Sequence, residues 1–399
     1  MAFLHVIKYQ SVIDFLFVIV VFITTRQVPF SMLSPLMNIA LVLLVVFSLY
    51  RYRLNSNEIK IVISLLLLPL AFSFFYSSIL TDNKLSLALR FFIILISIGL
   101  AYFVKVSERA LKWFIYLCVF QSFCLILALL FIYIFVGYEN YLPVRFYVQQ
   151  QGWGDLYTYN GIFYRIQIKG SALLVIAFIL NVETDLIKSK LVVAMFLLIG
   201  IILAGNFAFL ISIAIYFLYM VLRLRNKRSL NYYQLSLFAL GICLIFILPY
   251  AYNFVVSTLA DKKDESLGAR YDQTQQLLKD LFRDAFSLTL GRGLGNTLDV
   301  TTQFRNYSGL SYYELQVVYL FNQLGIIFSF CYLLYQSIIV SLKWGRSTYI
   351  VIIYIIYLIY SVTNPYIFDT NHFIVIVVLN SLIIYDREKR CTNYLIEPC

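Results

Sequence analysis

Apolar runs of about twenty residues recur along the whole chain, and each is long enough to cross the roughly 30 Å hydrocarbon core of a bilayer as a helix. Such runs are continuous rather than alternating, which excludes a membrane β-barrel, whose strands carry short segments of period two. Hydropathy predicts an all-α polytopic integral membrane protein of about 12 transmembrane helices over residues 1–399. The runs lie near 8–25, 31–50, 60–80, 87–104, 111–136, 162–181, 190–205, 207–222, 233–255, 313–341, 348–363 and 370–385. The first shows no small-residue cleavage site after Thr24 and reads as a retained span rather than a signal peptide.

Composition agrees. Only 13% of residues are charged and mean hydropathy is +0.84, whereas a soluble domain carries about 25% charge. The net charge of +11 does not point to nucleic acid, because the basic residues sit in short links between spans and not on one face. Anionic membrane lipids are the expected partner of those charges. Four of the six cysteines, Cys118, Cys124, Cys243 and Cys331, fall inside apolar runs, which supports neither disulfides nor a thiolate metal site.

Charge also sets orientation. With both termini cytoplasmic, the inner links collect Lys60, Lys105, Arg109, Lys188, Arg223, Arg228, Lys343 and Arg346, and the short outer links keep little beyond Arg26 and Lys84. This count depends on one junction. Ala204-Gly205-Asn206 is the only interruption between the seventh and eighth runs, and a single kinked helix there would reverse the side of everything that follows.

Two polar segments are left over, both on the outer side: a first loop at 137–160 and a large one at 256–312. The second exceeds ordinary connections and is expected to be ordered and functional. Between Asp264 and Leu290 its leucines and phenylalanines recur at spacings of three and four, predicting an amphipathic helix lying on the membrane or across the mouth of a cavity. Seven acidic and seven basic residues between 256 and 312 cancel, so an anion site in this loop has to be local.

Outer arginines are the leading candidates: Arg145, Arg165, Arg270 and Arg292, with Arg283 and Arg305 beside them. Arg165 falls close to the start of a predicted span, where an ionised group is costly unless it is paired or faces a wet cavity. Both readings stay open. A guanidinium fork suits the oxygens of a diphosphate. The turn Leu290-Gly-Arg-Gly-Leu-Gly295 lacks the Lys-Ser/Thr of a nucleotide loop; its exposed N–H groups either cradle a phosphate or simply end a helix. Glu314, at the outer mouth of the tenth run, either pairs with an arginine or acts as a base toward a sugar hydroxyl. With only His5 and His372 and no Asp-x-Asp cluster outside, the expected chemistry needs no metal and no cofactor.

The order Arg270-Tyr, amphipathic helix, Gly291-Arg-Gly-Leu-Gly295, then Tyr313-Glu-Leu and Leu324-Gly-Ile-Ile327, together with Gly161–Gly170, resembles the bacterial O-antigen polymerases and, more distantly, the O-antigen ligases. The resemblance implies a periplasmic-face glycosyltransferase of the bacterial inner membrane that joins undecaprenyl-diphosphate-linked repeat units. Carried across, Arg270 matches the family arginine that meets the lipid diphosphate, Arg165 the arginine near the earlier loop, and Arg292 lies in the glycine-rich turn; with Arg145 they are the expected diphosphate-binding residues, and Arg270 and Glu314 the expected catalytic ones. The resemblance also implies a chain-length regulator and other O-antigen assembly proteins as partners. The ligases carry a His-Asn pair where this chain has Tyr313-Glu314, a departure that disfavours ligase activity. A lipid-linked oligosaccharide flippase, or another transporter or structural membrane protein, is the remaining alternative.

Overall fold

A computed structural model describes residues 2–25, 33–137, 139–158, 164–225, 268–298, 308–309, 313, 315–362 and 364–394. The predicted ninth run, near 233–255, and Glu314 lie outside the described residues. The fold is helical, in the order α1 (Ala2–Thr25), α2 (Ser34–Tyr52), α3 (Ser56–Leu80), α4 (Leu85–Leu100), α5 (Glu108–Val136) and α6 (Tyr141–Gln150). A hairpin of β1 (Gly154–Thr158) and β2 (Tyr164–Ile168) follows. The helices then resume with α7 (Ala172–Glu183), α8 (Lys190–Ala204), α9 (Phe207–Arg225), α10 (Gly268–Leu281), α11 (Ala285–Leu290), α12 (Gln316–Trp344), α13 (Thr348–Val362) and α14 (Thr370–Tyr394).

Local chemistry sets the boundaries. Asn55 and Glu58 exchange side-chain and backbone bonds in a capping box that opens α3. Pro69 has no N–H and crowds the carbonyl four residues back, and the helix widens to π geometry over Val62–Leu67 just before it. The Ser107 hydroxyl accepts from Ala110 N to start α5. From Ala172 to Val182 every residue of α7 is buried, so this helix, apolar on all sides, runs through the centre of the bundle, with Phe373–Leu379 of α14 beside it. Outward faces carry bare Phe72, Phe75, Phe120 and Leu130, an apolar surface of the kind a lipid-embedded helix presents.

By length and composition, five helices among the described residues suffice to cross a membrane: Pro35–Tyr52, Ser56–Leu80, Leu85–Phe103, Glu108–Val136 and Gln316–Trp344. The protein therefore has the character of a multi-pass membrane protein. The expected dozen spans is more than this. Apolar stretches such as Lys190–Ala204 and Thr348–Val362 are 15 residues each, below the roughly 20 that cross a bilayer unaided.

The predicted span at 162–181 is corrected in a second way. Residues 164–168 form a strand and Lys169–Ser171 a 3-10 turn, so helix begins only at Ala172. Gly170 marks the changeover: a Cβ there would lie 2.7 Å from Thr25 Cα, so the turn sits directly against the end of α1. The single amphipathic helix expected over 264–290 is also two. The first, α10, ends at Leu281, and Asp284 caps α11, its carboxylate accepting from Ser287 N at 2.7 Å.

The junction at Ala204-Gly205-Asn206 is a turn. Gly205 takes the left-handed conformation (φ 61°) and ends α8. Glu183, at the end of α7, accepts from Arg223 Nη1 at 2.8 Å and from Tyr216 Oη at 2.9 Å. The last turns of α9 therefore return to the end of the bundle where α7 finished and α8 began, and α8 and α9 run in opposite directions.

Candidate functional site

At the other end of the bundle, helix termini and the remaining polar segments meet. The end of α3 and the 81–84 link touch the glycine-rich turn: Ser77 Oγ donates to Leu294 O, and Asn83 Nδ2 to Arg292 O at 2.9 Å. The turn between α13 and α14 reaches the hairpin through Gln167 Nε2 and Tyr366 Oη (2.9 Å), and reaches α12 through Phe368 N and Gln316 Oε1 (2.9 Å). Asn206 donates to Asn364 Oδ1 at 2.8 Å, and Asn371 donates to Lys169 O at 3.0 Å. Burial pushes the Tyr366 hydroxyl up to about 12, so it stays neutral and serves only as a hydrogen-bonding group.

Two of the four nominated arginines converge. In the hairpin register Tyr157 stands opposite Arg165, and the Arg165 guanidinium lies over its ring at 4.5 Å. Arg145, on α6, comes to 5.4 Å from the same ring. Arg145 also forms a two-pronged pair with Asp155, through Nε at 2.9 Å and Nη2 at 3.2 Å, and Gln149 completes that carboxylate at 2.8 Å. Arg165 is 7% exposed. Room for it comes from Gly205, where a Cβ would meet Arg165 Cγ at 2.4 Å and Nε at 2.5 Å. Gly205 thus serves both the helix turn and the arginine.

Arg292 stands in a second cluster. Its Nε is 3.4 Å from Asp280 Oδ1, and its Nη1 donates to Ser287 Oγ at 3.2 Å. Asp280 Oδ2 accepts from Asn322 at 3.0 Å and Asn296 at 3.2 Å, and those two amides bond each other at 2.9 Å. Asn322 is fully buried, and net worth for each such bond to a carboxylate is about 1.5–3 kcal/mol. Arg270 sits on α10 ten residues before Asp280, about 15 Å along the helix, and is half-buried.

The phosphate-cradle reading of the glycine-rich turn is not what the structure supports. The N–H groups of Arg292 and Gly293 donate to the carbonyls of Asn322 (2.8 Å) and Gln323 (3.0 Å), and that of Gly295 donates to Gln323 Oε1 (3.2 Å). Those carbonyls are available because α12 breaks at Gly325, whose φ of 64° and ψ of −175° are non-helical. Within an apolar helix the freed groups need partners, and the turn supplies them. The motif Gly291–Gly295 and the motif around Gly325 are one device.

Tyr157 is one of the outer-loop aromatics whose sequence also suits stacking on sugar rings, whereas Asp155, Gln167, Asp280, Gln323 and Tyr366 carry no sequence signal of a site, and Asn206, Asn322 and Asn364 form no readable constellation in the sequence. For these asparagines the available signal is a polar amide among apolar runs, since such groups are costly there unless partnered. No protein-family model, no curated protein and no solved structure matches this chain.

Proposed function

We propose that the chain is a bacterial inner-membrane glycosyltransferase, twelve spans with cytoplasmic termini, that polymerises undecaprenyl-diphosphate-linked O-antigen repeat units on the periplasmic face. The observation that carries this reading is the gathering of the hairpin arginines, the glycine-rich turn and α10 at one end of the bundle, with Arg165 buried against Tyr157 there. A cation stacked on an aromatic ring offers both the charge a diphosphate needs and a face on which a sugar packs.

In the proposed reaction, a hydroxyl at the non-reducing end of one lipid-linked unit attacks the anomeric carbon of another. The bond from that carbon to the diphosphate oxygen breaks, its electron pair leaves with undecaprenyl diphosphate, and a new carbon–oxygen bond joins the sugars. Arg165 and Arg270 stabilise the charge gathering on the leaving group, and Glu314 takes the hydroxyl proton. Arg145 holds the hairpin through Asp155, and Arg292 holds the glycine-rich turn through Asp280; both shape the binding region rather than meet the diphosphate directly.

The test is a vesicle assay with purified protein, synthetic lipid-linked repeat units and no nucleotide sugar. Elongated lipid-linked glycan is expected, and Arg165→Ala and Arg270→Ala are expected to lower its formation while the proteins still insert. Transbilayer movement without elongation would instead identify a flippase, and transfer to lipid A-core without elongation would identify a ligase.

A further inference from the structure

A cavity of about 590 Å³ opens at the opposite end of the bundle, where α2 ends and α5 begins. Its lining mixes polar and apolar groups: Ile13, Phe103, Leu111 and Ile384 make the apolar walls, and Arg51 and Lys105 supply its positive charge. The acidic residue in the lining is Glu108, which pairs with Lys112 at 2.8 Å, so the lining carries two basic groups against one acidic group. Lys105 Nζ and Lys343 Nζ stand 4.8 Å and 4.5 Å from the ring centre of Tyr52, and Lys343 is matched by Glu58.

The cavity is built rather than accidental. The stretch around Phe103 and beyond it is fixed by two helices: from α14, Asn380 donates to Tyr102 O and Val104 O and Ser381 Oγ accepts from Val106 N; from α1, Asp14 accepts from Ser107 N and Gln10 donates to Lys105 O. This presents Lys105 from a rigid loop. Ser48 also lines the space. It is 3% exposed and its hydroxyl makes no hydrogen bond, although serines elsewhere in these helices bond the carbonyl four residues back. A buried hydroxyl without a partner costs free energy unless something else completes it.

We propose that this cavity binds a phosphate headgroup, held by Arg51 and Lys105 with Ser48 donating to a phosphate oxygen and the apolar walls taking the adjoining glycerol and acyl carbons. An anionic phospholipid supplies such a group at this depth, and basic pockets between transmembrane helices on the cytoplasmic side are suited to one. This inference is independent of the polymerase reading.

Native mass spectrometry and lipid titration of the purified full chain test it, using phosphatidylglycerol, phosphatidylcholine and inorganic phosphate as probes. Saturable binding of phosphatidylglycerol over phosphatidylcholine is expected, weakened at least about tenfold in Arg51→Ala/Lys105→Ala and unchanged in Arg346→Ala, an exposed basic residue outside the lining. Arg51→Lys/Lys105→Arg, which keeps both charges, should bind as the parent does and guards against misfolding of the alanine variant. Ser48→Ala should weaken binding while raising thermal stability without lipid, a pair of opposite signs that a packing role does not produce. Displacement of the lipid by millimolar inorganic phosphate would assign the site to a free anion of the same chemistry. Equal binding of the two lipids together with no binding of inorganic phosphate, or a double alanine variant that binds like the parent, would overturn the proposal.

Discussion

Gly291 and Gly325 stand backbone against backbone: a Cβ on either would come within 2.4 Å of the other's amide nitrogen. Both have positive φ, 82° and 64°. Alanine at either site adds a backbone clash to conformational strain that alone exceeds about 1 kcal/mol. Gly137, also at positive φ (66°) but with nothing within 4 Å, isolates the strain. Gly325→Ala is expected to lower the melting temperature in detergent well beyond Gly137→Ala. Equal shifts would show that the contact is not tight.

Arg145 and Asp155 form the hairpin's own clasp, with side chains 28% and 18% exposed. A double-mutant cycle of Arg145→Ala and Asp155→Ala on thermal stability should return a coupling of about 1 kcal/mol. In the elongation assay Asp155→Ala should be as damaging as Arg145→Ala, because each variant loosens the same hairpin. An Asp155→Ala protein that elongates normally while Arg145→Ala does not would mean that Arg145 meets substrate directly.

Much of the helix order was legible because long apolar runs obey a single rule, the thickness of hydrocarbon. What escaped was set by contacts distant in sequence. Residues 164–168 carry an apolar pattern that a hydropathy window cannot tell from the start of a span, and only pairing with 154–158 makes them a strand. Likewise the sequence of the Gly291–Gly295 turn fits both an anion loop and a helix stop, and what decides is that Asn322 and Gln323 occupy its N–H groups. The four nominated arginines were found by charge and side, but charge could not separate Arg165, stacked on Tyr157, from Arg145, committed to Asp155.

Side chains facing the two ends of the bundle supply a topology test. On a cysteine-free background, an impermeant maleimide applied to intact spheroplasts should label Lys84→Cys and Glu139→Cys. Lys188→Cys and Arg346→Cys should react only after the membrane is opened; all four are exposed. Labelling of Lys84→Cys and Lys188→Cys from the same side would break the twelve-span scheme.

Asp284 offers a pH handle outside the membrane. Its carboxylate accepts from the Ser287 N–H and hydroxyl, which holds its pKa below the ordinary value. A depressed carboxylate pKa gives stability present above the unfolded value, near 4, and lost as pH falls through the folded one. Amide exchange in Ala285–Leu290 should therefore quicken below about pH 4, beyond the intrinsic pH effect on exchange. Asp284→Asn, which keeps an acceptor without titrating, should not show that extra loss. An identical profile in both proteins would remove Asp284 from the account.

Gly205 and Arg165 make the sharpest functional test, because the glycine leaves room for the guanidinium to lie over Tyr157. A Cβ at residue 205 lies within 2.8 Å of three Arg165 atoms, so Gly205→Ala must displace that side chain or distort the turn. If Arg165 carries charge to the diphosphate, Gly205→Ala should cut elongation at least about tenfold, equivalent to roughly 1.4 kcal/mol, with insertion intact. Adding Gly205→Ala to Arg165→Ala should then cost little more, since both remove the same group. Multiplicative losses in the double variant would mean that Gly205 acts through the α8–α9 turn alone, and that Arg165 is not what its neighbour protects.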